Sequence, residues 1–178
     1  MRVLGIDPGT LTSGYGIVTE ENHKLFHIVS GGISPSAKQP FPTRLGKIYD
    51  ELEKIIDKFK PHAVVIEDLF VSNNIKSALK LGHARGVAIL VAVNAGLPVF
   101  EYAPAEVKQA VVGNGKAEKK QVQMMVKSLL ELPKAPHPAD AADALAAAIC
   151  HIHSSRMREM LKGSAILRHA GRGAVRGR

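Results

Sequence analysis

The 178-residue chain has a formal charge of +8, with 46% hydrophobic and 22% charged residues, a balance expected of one soluble globular domain with a substantial core. Its longest apolar run, residues 87–93, is too short to span a membrane, and strand-like sequence begins at Arg2, so neither a membrane anchor nor a signal peptide is expected. Cys150 is the only cysteine, which excludes an intrachain disulfide and makes a reducing cytoplasm the expected setting.

Residues 2–7 read as a short buried strand ending in the turn Asp7-Pro8-Gly9-Thr10. Residues 15–20 and 24–33 read as two more strands joined by a hairpin turn at Glu21-Asn22-His23. A loop rich in Gly, Ser and Pro follows, over residues 31–42. Leu45, Ile48, Leu52, Ile55, Ile56 and Phe59 then share one helical face, and Pro61 stops that helix. Residues 62–67 form an all-apolar strand, as expected at the centre of a sheet covered on both faces.

Residues 73–94 predict a long helix closed by Gly96, with Gly82 and Gly86 on one face permitting close approach of another backbone. A strand at 98–102, a short helix at 104–112 and an amphipathic helix at 118–132 come next. After a linker at 133–138, the last helix is expected to end near His153. The pattern implies an α/β fold, a mixed sheet between helices. Residues 1–153 would form the domain and 154–178 a basic tail, disordered until it binds something. That tail holds seven Lys/Arg against Glu159, leaving only +2 for the rest. The better sign of a polyanion partner is residues 76–120, with seven basic and three acidic residues, although a solvated helix face explains that excess equally well.

Four carboxylates interrupt apolar sequence. Asp7 and Glu67 each close a buried strand, and Asp140 and Asp143 stand in the alanine-rich stretch 139–149. Buried charge is costly unless it is paired or binds a metal. Side chains at adjacent carboxyl strand ends converge on a crevice, and residues three apart on a helix share a face. Oxygen-only ligands suit Mg²⁺ or Mn²⁺ better than zinc. Such a site can hold two ions about 4 Å apart, one activating water and one stabilising a leaving oxygen, which is what phosphodiester hydrolysis requires. Each residue also has a plainer explanation: turn chemistry for Asp7, a solvent-reaching strand end for Glu67, helix N-terminal charge for Asp140. Asp143 lies one turn deeper and is harder to explain away. The histidines, His83, His137, His151 and His153, are assigned no metal role. Asp7 to Thr10 is also similar to the phosphate-binding turn of actin-like and Hsp70-like ATPases, which leaves a small phosphotransferase as an alternative.

Gly5-Ile6-Asp7-Pro8-Gly9-Thr10, Gly14-Tyr15-Gly16 and Ile66-Glu67 resemble the bacterial RuvC family of Holliday junction resolvases. So do the stretches 77–88, 100–104, 107–113, 117–119 and 139–146, in order, through about His153. The resemblance implies a ribonuclease H-like five-stranded sheet with helices on both faces. It also implies a homodimer, Mg²⁺-dependent paired nicking of four-way junction DNA in recombination and repair, and cooperation with the RuvA–RuvB machinery. Carried across by position, Asp7, Glu67, Asp140 and Asp143 match catalytic acids. Lys108 and Lys119 match basic residues of cleavage and DNA contact, and Phe70 matches an aromatic that stacks on unpaired bases. From spacing alone Phe70 is equally an ordinary core residue. The helix with Gly82 and Gly86 is the candidate dimer interface, unless those glycines serve packing within the chain. A junction-binding protein without catalysis is the other alternative.

Overall fold

Strands buried on both faces make the centre of the sheet. In the computed structural model, which describes residues 1–68 and 74–172 with the side chains of 159 and 162–172 left aside, five strands align in the order β3-β2-β1-β4-β5. They are β1 (Arg2–Asp7), β2 (Ser13–Glu21), β3 (Lys24–Ile33), β4 (Ala63–Glu67) and β5 (Val99–Tyr102). β1 pairs antiparallel with β2 and parallel with β4, while β2–β3 is antiparallel and β4–β5 parallel. Asn22 and His23 turn the β2–β3 hairpin at φ 50° and 66°, the positive values that a two-residue hairpin loop requires.

One face of the sheet presents Leu4, Ile6, Ile17, Val64 and Ile66 to α1 (Phe41–Phe59) and α2 (Ile75–Asn94). The other presents Val3, Val18 and Val65 to α3 (Pro104–Val112), α4 (Lys119–Leu129) and α5 (Ala139–Arg172). The expected mixed sheet with helices on both faces is therefore present. Helix α1 is held by Ile48, Leu52 and Ile56 at one-turn spacing, each burial contributing about 2 kcal/mol. It begins at Phe41, earlier than the apolar face suggested, because a proline is tolerated in the first helical turn. Lys60 ends it in the left-handed region, its N–H donating to Ile56 O at 2.8 Å.

The last helix differs most from expectation. The sequence placed its end near His153 and a disordered tail after it, but α5 continues to Arg172. Glycine counted toward disorder, yet residues 154–162 contain neither Gly nor Pro and are rich in Arg, Met, Leu, Lys and Glu, all good helix formers. A tertiary contact holds the extension as far as Arg158, which donates to Tyr102 Oη at 2.9 Å.

Candidate active site

Strand register brings the first two carboxylates side by side. Ile6 pairs with Ile66 across the parallel β1–β4 ladder, so Asp7 and Glu67 follow at adjacent carboxyl ends. Side chains alternate along a strand, and Ile6 and Ile66 face α1 and α2, so Asp7 and Glu67 face α5.

Helix α5 can bring the other two because the strands carry glycine where its first turns cross them. A Cβ at Gly5 would sit 1.8 Å from Ala144 O, and one at Gly14 would sit 2.1 Å from Asp140 O. At Gly16 a Cβ would meet Leu145 at 2.6 Å. On the helix side, Ala141, Ala142, Ala144 and Ala146 to Ala148 are all buried to 1% exposure or less. Glycine on the strands and alanine on the helix thus let the two backbones nearly touch, and Asp140 and Asp143 arrive over the end of β1.

Asp7, Asp140 and Asp143 each offer a carboxylate oxygen, and the three oxygens lie within 4.8 Å of one another. Glu67 stands just outside this trio and lines a cleft of about 210 Å³ with Asp143, Lys108, Lys119, Val107, Val122 and Ala146. Lys119 opens α4, whose N-terminus is set by Glu118 N–H donating to Gln121 Oε1 at 2.8 Å. Its Nζ donates to Asp143 Oδ2 at 2.6 Å. Lys108 is carried on α3 between buried Val107 and Val111.

Two ionised carboxylates about 5 Å apart repel by about 3 kcal/mol at an effective dielectric constant of about 20. Asp7 and Glu67 respond by holding their protons more tightly. Burial, then the charges of Asp143, Glu67 and Asp140, raise the Asp7 pKa to about 7, against an opposing pull from Lys119. Burial and Asp143 raise Glu67 as well, opposed by Lys119 and Lys108. Lys119 is raised in turn by its hydrogen bond to Asp143. An all-oxygen, self-repelling cluster of this kind fits a hard divalent cation, which would relieve the repulsion that no protein group here fully offsets.

All four acids and both lysines therefore meet at one place, while Phe70 lies outside the described residues. His151, His153 and His83 bond or pack elsewhere. His151 is buried, with Nδ1 3.0 Å from Tyr102 Oη, and burial together with Arg158 lowers its pKa to about 4. His153 bonds to Ala110 O, and His83 packs edge-on against Phe41. A larger groove of about 800 Å³, lined by Glu106, Gln109, Ala110, Met157 and Met160 among others, contains none of the four site acids. Sequence reasoning passed over Arg85, whose side chain is only 12% exposed in the structure.

The family model described as crossover junction endodeoxyribonuclease RuvC matches residues 3–151. The chain is 54% identical over 162 residues to the crossover junction endodeoxyribonuclease RuvC of Geotalea uraniireducens (strain Rf4), covering 91% of this chain and 94% of that one. It is 53% identical to the protein of that name from Geobacter sp. (strain M21), covering 92% and 99%. Among solved structures, Thermus thermophilus RuvC in complex with Holliday junction substrate superposes with a TM-score of 0.84 at 37% identity, covering 88% of this chain and 96% of that one. The yeast mitochondrial Holliday junction resolvase Ydc2, at 15% identity and TM-score 0.62, shares the fold. These likenesses favour neither the ATPase nor the non-catalytic reading. The sheet is ribonuclease H-like, and the chain belongs to the RuvC family of crossover junction endodeoxyribonucleases.

Proposed function

We propose that this chain resolves four-way DNA junctions by symmetric paired nicking, using magnesium held by Asp7, Glu67, Asp140 and Asp143. The observation that carries this reading is the meeting of three carboxylate oxygens within 4.8 Å beside a lysine-lined cleft. Bound there, two Mg²⁺ ions (or Mn²⁺ in their place) would activate water and stabilise the leaving oxygen. Asp7, Asp140 and Asp143 hold the cation from β1 and α5, and Glu67 closes the β4 side. Lys119, once freed from Asp143, turns its ammonium to the scissile phosphate and offsets the charge that builds there. Lys108, across the same cleft, holds the neighbouring backbone. Phe70, three residues beyond Glu67, supplies a ring on which an unpaired base can stack.

Two like cuts in a two-fold substrate require two copies of the site, and we assign the dimer contact to α2. Ile75, Leu79, Leu90 and Val93 are exposed on that helix, between 51% and 73%. Together with Gly82 and Gly86 they recur at intervals of three and four residues, one continuous stripe. A Cβ at either glycine would meet nothing within 4 Å among the described residues, which leaves that face open to a second copy. Among the described residues no helix is long and apolar enough to cross a membrane. We place the protein in the cytoplasm, in recombination and repair, acting on junctions handled by the RuvA–RuvB machinery, with residues 1–153 as the resolvase domain. The basic residues after His153 add salt-sensitive DNA affinity.

The test incubates the protein with a labelled four-way junction and with linear duplex, each with Mg²⁺ or EDTA. Paired cuts confined to the junction with metal, and junction binding without cutting by Asp7→Asn, are expected. Equal digestion of linear duplex would overturn structure selectivity.

A further inference from the structure

The carboxyl end of β4 is where Glu67 leaves the sheet, and one side chain from a different element grips it. Arg85, on α2, donates from Nη1 to the backbone carbonyl of Glu67 at 2.7 Å. Its Nη2 lies 2.7 Å from Glu101 Oε1 on β5 and 3.3 Å from Asp68 Oδ1. The guanidinium therefore spans the last residue of β4, the first residue beyond it, and the neighbouring strand. Its side chain is 12% exposed, whereas Asp68 and Glu101 are 59% and 46% exposed, so the arginine is the fixed member of the group. A planar donor fork of this sort can satisfy several acceptors at once, which an ammonium cannot.

The backbone at this point has a second tie, Asp68 N–H to Tyr102 O at 2.8 Å, which extends the β4–β5 ladder by one bond. That bond fixes the strand edge to its neighbour. It does not fix the edge against the helical layer. Arg85 supplies that third direction, because buried Ala84 and Ala88 seat its helix against the sheet. Asp140 and Asp143 stand on a helix pressed against glycine backbone, and Asp7 ends a strand paired with Gly14 on β2. Glu67 is the terminal residue of its strand, and its carboxylate lies outside the 4.8 Å trio.

We propose that Arg85 is a positioning residue for Glu67. By holding the Glu67 carbonyl and clamping the β4–β5 edge to α2, it sets the direction of the Glu67 carboxylate toward the Asp7–Asp140–Asp143 cluster. It touches neither metal nor DNA. The assignment rests on the reading of Glu67 as a ligand of the cation. It also gives α2 two duties, since the helix bearing the exposed apolar stripe reaches the catalytic strand end through the same arginine.

The test compares full-length wild type, R85Q, R85K, E67Q and R85Q/E67Q. Three quantities are read for each: the rise in Tm caused by Mg²⁺ alone, the Mg²⁺ concentration giving half-maximal single-turnover junction cleavage, and junction affinity in EDTA. R85Q is expected to raise the half-saturating Mg²⁺ concentration and lower the rate, each by about 10- to 100-fold, the usual consequence of losing a residue that orients a ligand. Its Mg²⁺-dependent Tm rise should shrink, and its junction affinity in EDTA should stay within about threefold of wild type, because no DNA contact is removed. R85K should recover part of the loss, keeping one of the three donor contacts. In the E67Q background, R85Q should change the Mg²⁺-dependent Tm rise no further.

Wild-type Mg²⁺ dependence in R85Q would overturn the assignment. So would a further drop in the Mg²⁺-dependent Tm rise on adding R85Q to E67Q, or loss of the folded protein in both R85Q and R85K, since each marks Arg85 as general scaffold. An E67Q protein with wild-type Mg²⁺ response would instead remove Glu67 from the site, a failure of the parent reading visible without any Arg85 variant.

Discussion

Lys119 donates to Asp143 Oδ2 at 2.6 Å, from the first turn of α4 to the first turns of α5. The lysine thereby neutralises a carboxylate that stands within 4.8 Å of two others. A cation entering the cluster competes with this ion pair, and breaking it frees the ammonium for the phosphate. Lys119→Gln should therefore lower single-turnover cleavage by about 100-fold, the scale of removing one stabilising donor from a reacting centre. The same variant should show a larger Mg²⁺-dependent rise in Tm than wild type, because no ion pair is displaced. Unchanged cleavage, or a smaller rise, would count against the exchange.

The Asp7 carboxyl titrates near 7 in the folded protein, above its ordinary value near 3.8. Below about pH 4 it is protonated whether folded or unfolded, and contributes nothing. Between there and about pH 7 the unfolded chain releases the proton and the folded one keeps it, so stability falls as pH rises. Above about pH 7 the whole cost is present. Glu67 is shifted in the same direction and adds to the trend. Metal-free protein should thus lose Tm from pH 5 to pH 8. Asp7→Asn should flatten that slope, and saturating Mg²⁺ should abolish it. Thermal melts across pH with EDTA or Mg²⁺ check this, and a wild-type slope in the Asn variant would contradict it.

Gly14 faces the backbone of Asp140, and an added Cβ would lie 2.1 Å from its carbonyl oxygen. Backbone atoms have no rotamer to retreat into, so Gly14→Ala has to lift α5 from β2. Overpacking of this kind costs about 2 kcal/mol, or about 4–8 °C in Tm for a chain of this size. Because the displaced segment carries Asp140, apparent Mg²⁺ affinity should fall as well. Gly46→Ala is the control: its Cβ would meet nothing within 4 Å on an exposed helix position, and it should stabilise slightly if it changes anything.

Much of this site is visible in the residues themselves. Asp7 and Glu67 end apolar strands, and Asp143 sits where an alanine-rich helix has no other reason for charge, so their convergence follows from β-α topology. The closeness of α5 was not legible, because glycines at 5, 14 and 16 look like ordinary turn and strand residues until their cross-layer partners are known. Arg85 was hidden for the same reason: an arginine in the middle of a long helix gives no sign of a carbonyl acceptor eighteen positions earlier. The length of α5 was misjudged because composition argues about solubility, while helix continuation depends on breakers, and none precedes Gly163 after Pro138.

The apolar stripe on α2 gives a separate expectation. Leu79→Glu with Leu90→Glu places charge at two of its exposed positions without touching the buried face of Ala84, Ala88, Val91 and Ala92. The double variant should sediment as a monomer with native circular dichroism. On a junction it should give single nicks in place of paired ones, since the two cuts are no longer delivered by one assembly. A dimer of unchanged strength would move the interface elsewhere on the surface.

The most direct measurement is anomalous scattering from a crystal of the full chain grown with Mn²⁺. The account predicts a peak bounded by the carboxylates of Asp7, Asp140 and Asp143, with Glu67 turned toward it and Lys119 released from Asp143. A crystal with Mn²⁺ bound elsewhere, and the Lys119–Asp143 pair intact beside an empty cluster, would contradict it.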